Sequence, residues 1–354
     1  MIRNVLTSDL NYSGYFIARK QEDIRGQDSL FTAVAIVQAS LRYLKPKLLL
    51  EVELRDFASK EIIFEKAYRF SAKATRTVAH RLANEIVYFL VGEEGIAETR
   101  ILFCRKNGAS KDIYIIDYDG YNEKGLTTDE LALSPLWLDR SRFCYTSYKR
   151  GNPDCYLIDL FAGKKWLISS RKGLNIAGSY FAPRDELAMT ISVNGNSEIY
   201  VLKSNGEFVR RLTRNRAIDC SPSWSANGAE LAFVSDRTGT PQIYIMDRFG
   251  GHLRRLSYDS AYNTSPAWSP DGEMIAYVSR EDGLYRLKLI SPDGLSEETL
   301  YEDYLSYEDP VWAPDSRHIA ATVRYGGKPW IVIIDIETKE KRRLAQGESP
   351  SWSR

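Results

Sequence analysis

Histidine is scarce in this chain: His80, His252 and His318 are the only three among 354 residues. General acid–base catalysis and metal binding lean on that side chain, so little material for either is present. The four cysteines, Cys104, Cys144, Cys155 and Cys220, show no CxxC or metal-type spacing. Cys144 and Cys155 could face each other across one hairpin, as a disulfide or as two buried free thiols. No G-x-S-x-G nucleophile elbow and no glycine-rich phosphate loop occur. No apolar run approaches the roughly 20 residues of a membrane helix. The residues after Met1, Ile-Arg-Asn-Val-Leu-Thr-Ser-Asp, lack the basic start and apolar stretch of a secretory leader. Like-charge blocks are absent too. Forty-eight basic against 47 acidic side chains leave a net charge of +1, which offers no electrostatic footprint for nucleic acid or an anionic membrane. Apolar residues at 44% and charged residues at 27% describe an ordinary globular chain.

What the chain does have is one phrase repeated six times. It reads Ser134-Pro-Leu-Trp137, Gly178-Ser-Tyr-Phe181, Ser221-Pro-Ser-Trp224, Ser265-Pro-Ala-Trp268, Asp309-Pro-Val-Trp312 and Ser349-Pro-Ser-Trp352. The aromatic residues stand at 137, 181, 224, 268, 312 and 352, a period of 40–44 residues. Such a period, with turn signals and short apolar strands inside each unit, marks a β-propeller.

The unit that starts at Trp224 shows the grammar. Proline suits the start of a short inner strand, and the tryptophan supplies a large apolar surface to wedge between blades. Asn227-Gly228 turns the chain, as Asp271-Gly272 does in the next unit. Leu231–Ser235, Ile243–Asp247 and Leu253–Ser257 read as second, third and outermost strands. The paired arginines of the last fit an exposed edge. The first unit, with strands at Ile101–Cys104, Asp112–Asp117 and Gly125–Thr128, has no opening strand of its own. Pro350-Ser-Trp-Ser-Arg354 is an inner strand with no blade after it. Ring closure follows: the last strand completes the first blade, giving six.

Residues 1–97 follow different rules. Lys47–Arg55 and Glu61–Phe70 read as two strands joined at Asp56–Lys60, and Phe31–Leu41 as a third. Thr75–Val91 reads as a helix with Val78, Leu82, Ile86 and Phe89 on one face and Gly92 as its stop. Ser8–Phe16 is expected to form a shorter helix. The expected fold is therefore mostly β: a small α/β domain over 1–97, read as incomplete, before a six-bladed propeller over 98–354.

At four points the chain resembles the TolB family of the Tol-Pal envelope system. These are Ala79-His-Arg-Leu-Ala-Asn-Glu-Ile86, Gly92-Glu-Glu-Gly-Ile-Ala-Glu-Thr-Arg-Ile101, the turn Asp117-Tyr-Asp-Gly-Tyr-Asn122, and the Trp-Ser-Pro-Asp-Gly type repeats. The resemblance runs from about residue 8 onward. It implies a periplasmic, non-catalytic interaction hub that supports outer-membrane integrity and constriction during cell division. Its implied partners are a Pal-like peptidoglycan-associated lipoprotein at the propeller mouth and other Tol proteins. Against the family pattern Met1 falls just before the first helix, so the export signal, the tail that engages TolA and the first strand lie outside this sequence. No cofactor or metal is expected.

Loops that lead into inner strands gather at one mouth of a propeller, and rigid scaffolds carry function on such loops. Here they are Arg171–Gly178, Arg214–Cys220, Tyr258–Thr264 and Glu302–Asp309, with Tyr301 just ahead of the last. Candidate partner-binding residues are Asn175, Asn215, Asp219, Tyr258, Tyr262, Asn263, Tyr301, Tyr304, Tyr307 and Glu308. Tyrosine joins apolar area to a hydrogen-bonding tip, which suits interfaces. Ordinary solvated loops are the alternative for each residue. For the whole chain the alternative is a propeller enzyme or small-ligand binder, lactonase-like or lyase-like, that uses the central channel.

Overall fold

The computed structural model describes residues 1–20, 34–128, 131–193 and 195–353. The chain divides into two compact units, Met1–Glu98 and Thr99–Arg354.

In the first unit α1 (Ile2–Tyr12) precedes an antiparallel sheet of β1 (Ala35–Leu44), β2 (Lys47–Asp56) and β3 (Ile62–Phe70). Leu50, Val52 and Leu54 alternate inward from the central strand and are buried, as period-two patterning requires. The Asp56 carboxylate accepts from the amides of Ala58 and Ser59 and so shapes the β2–β3 turn. Helix α2 (Thr75–Val91) buries Val78, Leu82 and Ile86 together with Ala79, Ala83 and Val87. Gly92, at φ 88°, ends it in the left-handed region. Three expectations shift. The first helix begins at Ile2 rather than Ser8. Phe89 is 46% exposed and leans on Phe64 rather than filling the core. The first strand runs Ala35–Leu44, and residues 31–33 of the expected strand lie outside the described residues.

The second unit is six four-stranded antiparallel sheets. Blade I joins Glu348–Trp352 to Arg100–Asn107, Ser110–Asp117 and Lys124–Gly125. Blade II spans Ala132–Trp137 to Lys164–Ser169, and blade III Asn175–Phe181 to Phe208–Arg211. Blade IV runs Asp219–Trp224 to Arg254–Arg255, blade V Asn263–Trp268 to Glu297–Thr299, and blade VI Tyr307–Trp312 to Lys341–Gln346. Each inner strand touches the next, and the circle closes from blade VI to blade I to blade II. Closure rests on the pairs Glu348↔Cys104, Ser351↔Leu102 and Trp352↔Ile101. Trp352 donates from its indole to Thr99 Oγ1 at 2.8 Å, and Ser353 Oγ accepts the Arg100 amide at 2.9 Å.

The repeated phrase makes two kinds of joint. First, it places an irregularity in every inner strand, where the pairing register shifts. Before the proline, Ser134, Ser221, Ser265, Asp309 and Ser349 all sit at φ 49–53°, a left-handed conformation that costs about 1–3 kcal/mol outside glycine. In blade III Gly178 holds the corresponding point of the phrase without a positive φ, and a Cβ there would lie 2.7 Å from the Pro222 carbonyl oxygen. Second, the phrase staples blades together. The Trp224, Trp268 and Trp137 amides donate to Ser179, Ser223 and Ser351 Oγ of the preceding blades at 3.0–3.1 Å. The six aromatic residues of the phrase are all buried. Where Phe181 replaces tryptophan, the Arg184 guanidinium lies 4.2 Å over its ring and reaches the Gly228 carbonyl. Arginine thereby covers area that an indole would fill.

Cys144 and Cys155 are free buried thiols, and burial pushes the Cys144 thiol well above its ordinary pKa. The paired arginines of the blade IV outer strand are half-buried: Arg254 donates to Pro292 O of blade V, and Arg255 to Ser257 O of its own blade.

Candidate functional site: the channel mouth

The inner strands surround a channel of about 540 Å³. Its wall is built from the repeated phrase itself, with Leu174, Ile218 and Cys220 also among the lining residues. The ring of pre-proline residues is neutral except at Asp309. That carboxylate accepts from Ser349 Oγ at 2.9 Å, and burial holds it above the ordinary aspartate range although the Ser349 bond works the other way. No histidine lies in the wall. His318 is buried against Asp315 at 2.6 Å, His80 against Asp9 at 2.7 Å, and the His252 side chain is exposed.

The lead-in loops of blades III to VI stand at the end where each inner strand begins. The ten candidate residues divide there by direction. Asn175, Asp219, Asn263 and Tyr307 are buried, so their side chains do not reach a partner, which corrects the expectation for these four. Each opens its inner strand and braces the loop just before it. Asn175 donates to the carbonyls of Arg171, Gly173 and Pro153. Asn263 donates to Ser260 O and Gln242 Oε1. Asp219 binds Arg237 and accepts from Asn215 Nδ2. An emerging loop leaves backbone carbonyls that need partners, and inward-turned side chains supply them. A sequence signal for this existed: 175, 219, 263 and 307 recur every 44 residues, which marks a shared blade position rather than a local site.

Tyr307 belongs to a cluster that pins the blade VI loop. Its hydroxyl donates to Asp303 Oδ2 at 2.7 Å and accepts from Lys341 Nζ at 2.8 Å. Tyr301 stacks on it at 5.3 Å, with Lys341 Nζ 4.1 Å over the Tyr301 ring. Burial would raise the Asp303 pKa, yet the bonds from Lys341 and Tyr307 hold it below the usual range. Burial pushes Tyr301 and Tyr307 up, and the Asp303 bond adds to this for Tyr307. Glu308 is half-buried and paired with Arg324 at 3.0 Å. Asn215 is exposed, but its amide is engaged within its own loop.

Three candidates face outward: Tyr258 at 65% exposure, Tyr262 at 37% and Tyr304 at 95%. Burial of part of the Tyr262 ring, against Tyr285 at 6.3 Å, raises its pKa. Exposed residues that tyrosine-based reading missed are Ile218, Lys172, Arg214 and Arg216. Their signal was position alone, since they occupy the corresponding loops of blades III and IV.

A closed ring of six four-stranded blades, with exposed tyrosines on loops at one end, defines a β-propeller scaffold. The family model described as TolB beta propeller domain matches residues 88–354. The chain belongs to that TolB propeller family. It is 37% identical over 171 residues to the Tol-Pal system protein TolB of Desulfosudis oleivorans, covering 47% of this chain and 39% of that one. It is 34% identical over 212 residues to a protein TolB homolog of Chlorobium chlorochromatii, covering 59% and 46%. The matched segments therefore span less than half the length of these two relatives. The crystal structure of TolB from Acinetobacter baumannii is similar across 99% of this chain and 93% of that one, with TM-score 0.88 and 26% identity.

Proposed function

We propose that this protein is a non-catalytic docking component of the Tol-Pal system. It binds a Pal-like peptidoglycan-associated lipoprotein through the mouth of its propeller, in the periplasm, and supports outer-membrane integrity and constriction during division. Family membership over residues 88–354 supports the system. The observation that carries the surface is the trio Tyr258, Tyr262 and Tyr304, held outward on loops that are braced from beneath. A pre-braced loop loses little entropy on binding, and exposed tyrosines are strong interface residues. The histidines are engaged away from the channel or lie outside it, which favours docking over channel chemistry.

The test is a calorimetric titration of the full chain with the soluble domain of the Pal-like lipoprotein from the same organism. Replacing Tyr258, Tyr262 and Tyr304 together by alanine is expected to weaken binding by at least about 2 kcal/mol, with the melting temperature unchanged. An unchanged affinity removes the mouth as the docking face. Other Tol proteins are further partners on this reading, and pull-down with TolA reports whether these 354 residues suffice for that contact.

A further inference from the structure

We infer that the mouth is electrically two-sided and fixes the orientation of its partner, taking an acidic patch against blades III and IV and lysine or arginine side chains against blades V and VI. This rests on the docking reading above and names the chemistry of the docked surface.

The lead-in loop of blade III carries Arg171 and Lys172, and that of blade IV carries Arg214 and Arg216. Neither loop holds an acidic side chain ahead of Asp219, which is buried and bound to Arg237. The lead-in loop of blade V carries Asp259, and that of blade VI carries Glu302 and Asp303, with no basic residue in either. Lys172, Arg214, Arg216, Asp259 and Glu302 are exposed, and no ion pair among the described residues engages them. Asp303 is already held by Lys341. Of the hairpins at the same end, those of blades IV and V carry both signs, Asp236 with Arg237 and Arg280 with Asp282, and that of blade VI carries Arg324, paired with Glu308, and Lys328. The asymmetry therefore resides in the lead-in loops.

Aromatic residues follow the same division. All three outward tyrosines lie on the acidic half, and the lead-in loops of blades III and IV contain none. An exposed ring beside a carboxylate is a receptor for a cationic side chain, which gains both ion pairing and contact with the ring face. Guanidinium and ammonium groups within the protein already use its tyrosines this way, Arg255 at 4.6 Å over Tyr258 and Lys341 over Tyr301. The face of Tyr304, at 95% exposure, is left to a visitor. On the other half, free guanidinium forks suit carboxylates. Two unlike halves on one mouth steer an incoming dipolar surface into one rotation and repel the reverse one.

Two charge-reversed variants test this, Arg214→Glu with Arg216→Glu and Asp259→Lys with Glu302→Lys, each in the full chain. Each is titrated with the soluble Pal-like domain at low and high salt. We expect each reversal to weaken binding at low salt by about tenfold or more and to flatten its salt dependence. The melting temperature should hold, because all four positions are exposed. Wild-type binding with both variants within about twofold overturns the two-sided mouth and leaves the docking reading standing. No binding by the wild-type chain overturns the docking reading and this inference with it. Concentration-dependent dimers of the wild-type chain alone in sedimentation velocity, abolished by either reversal, would assign the mouth to a second copy and overturn the proposed partner.

Discussion

Blades I and IV obey the same grammar, yet one pairs residues 244–251 positions apart and the other is a continuous stretch. In blade IV the inner strand is followed directly by its neighbour, so the covalent turn at Asn227-Gly228 keeps Trp224 beside Leu231 whatever else loosens. In blade I only non-covalent contacts keep Trp352 beside Ile101. The difference shows in the bonding. The segment 348–353 is tied to blade VI through Thr322 and Asp309, to blade II through the Trp137 amide, and to its own blade through Thr99, Arg100 and Lys111. Side-chain contacts here do what a turn does elsewhere, and the ring is as stable as this seam.

The severest break of the comparison is removal of residues 350–354. It should abolish the cooperative unfolding transition of the propeller in urea, and a retained transition would refute closure by this strand. Next in size is a matched pair, Trp352→Ala and Trp224→Ala. Both side chains are about 95% buried, so each should lose about 3–5 kcal/mol. Hydrogen exchange separates them: amides of Ile101–Cys104 should lose protection in the first, whereas those of Leu231–Val234 stay protected in the second. A finer comparison uses one bond in two settings. Ser351→Ala and Ser223→Ala each strand a tryptophan amide, at about 1–3 kcal/mol, and the closing seam should show the larger loss in urea titration.

The smallest effects concern pH and run in opposite directions. Glu186 joins Arg184 and Arg210 in blade III, and both arginines donate on to carbonyls of blade IV. Although burial raises its pKa, those two hydrogen bonds hold it below the usual range. The stabilisation it gives is present above pH 4.5, the ordinary glutamate value, and fades as pH falls through its lowered pKa. Glu186→Gln should cost about 1 kcal/mol at neutral pH and nothing in strong acid. Asp309 lies at the VI–I seam with its pKa raised by burial. The folded protein there binds the proton more tightly than the unfolded chain, so stability falls as pH rises through that window. Asp309→Asn should therefore stabilise slightly at neutral pH and be silent in acid. Equal signs for the two variants would refute these assignments.

The blades were legible because one phrase at fixed spacing marks every inner strand, and closure was legible because Trp352 had no blade of its own. The mouth was legible only as a set of loops. Asn175 and Asn215 look alike in a loop sequence, yet one is buried and the other exposed, because the first residue of an inner strand must turn inward to cap carbonyls. Phe89 keeps helical spacing but is exposed in the last turn of α2, where its ring meets Phe64 rather than the core. The charge division was visible in Arg214, Arg216, Asp259 and Glu302 but had no meaning until the topology set those loops on one face.

The antiparallel pairing of Trp352 with Ile101 has a mechanical consequence. Both flanking backbones leave that pair at the same end, where the Ser353 amide meets the Arg100 carbonyl. Tension applied to the polypeptide on either side would peel the strands like a zipper, one rung after another, instead of shearing all rungs together. Modest pulling force would open the disc at blade I while the other five blades still held.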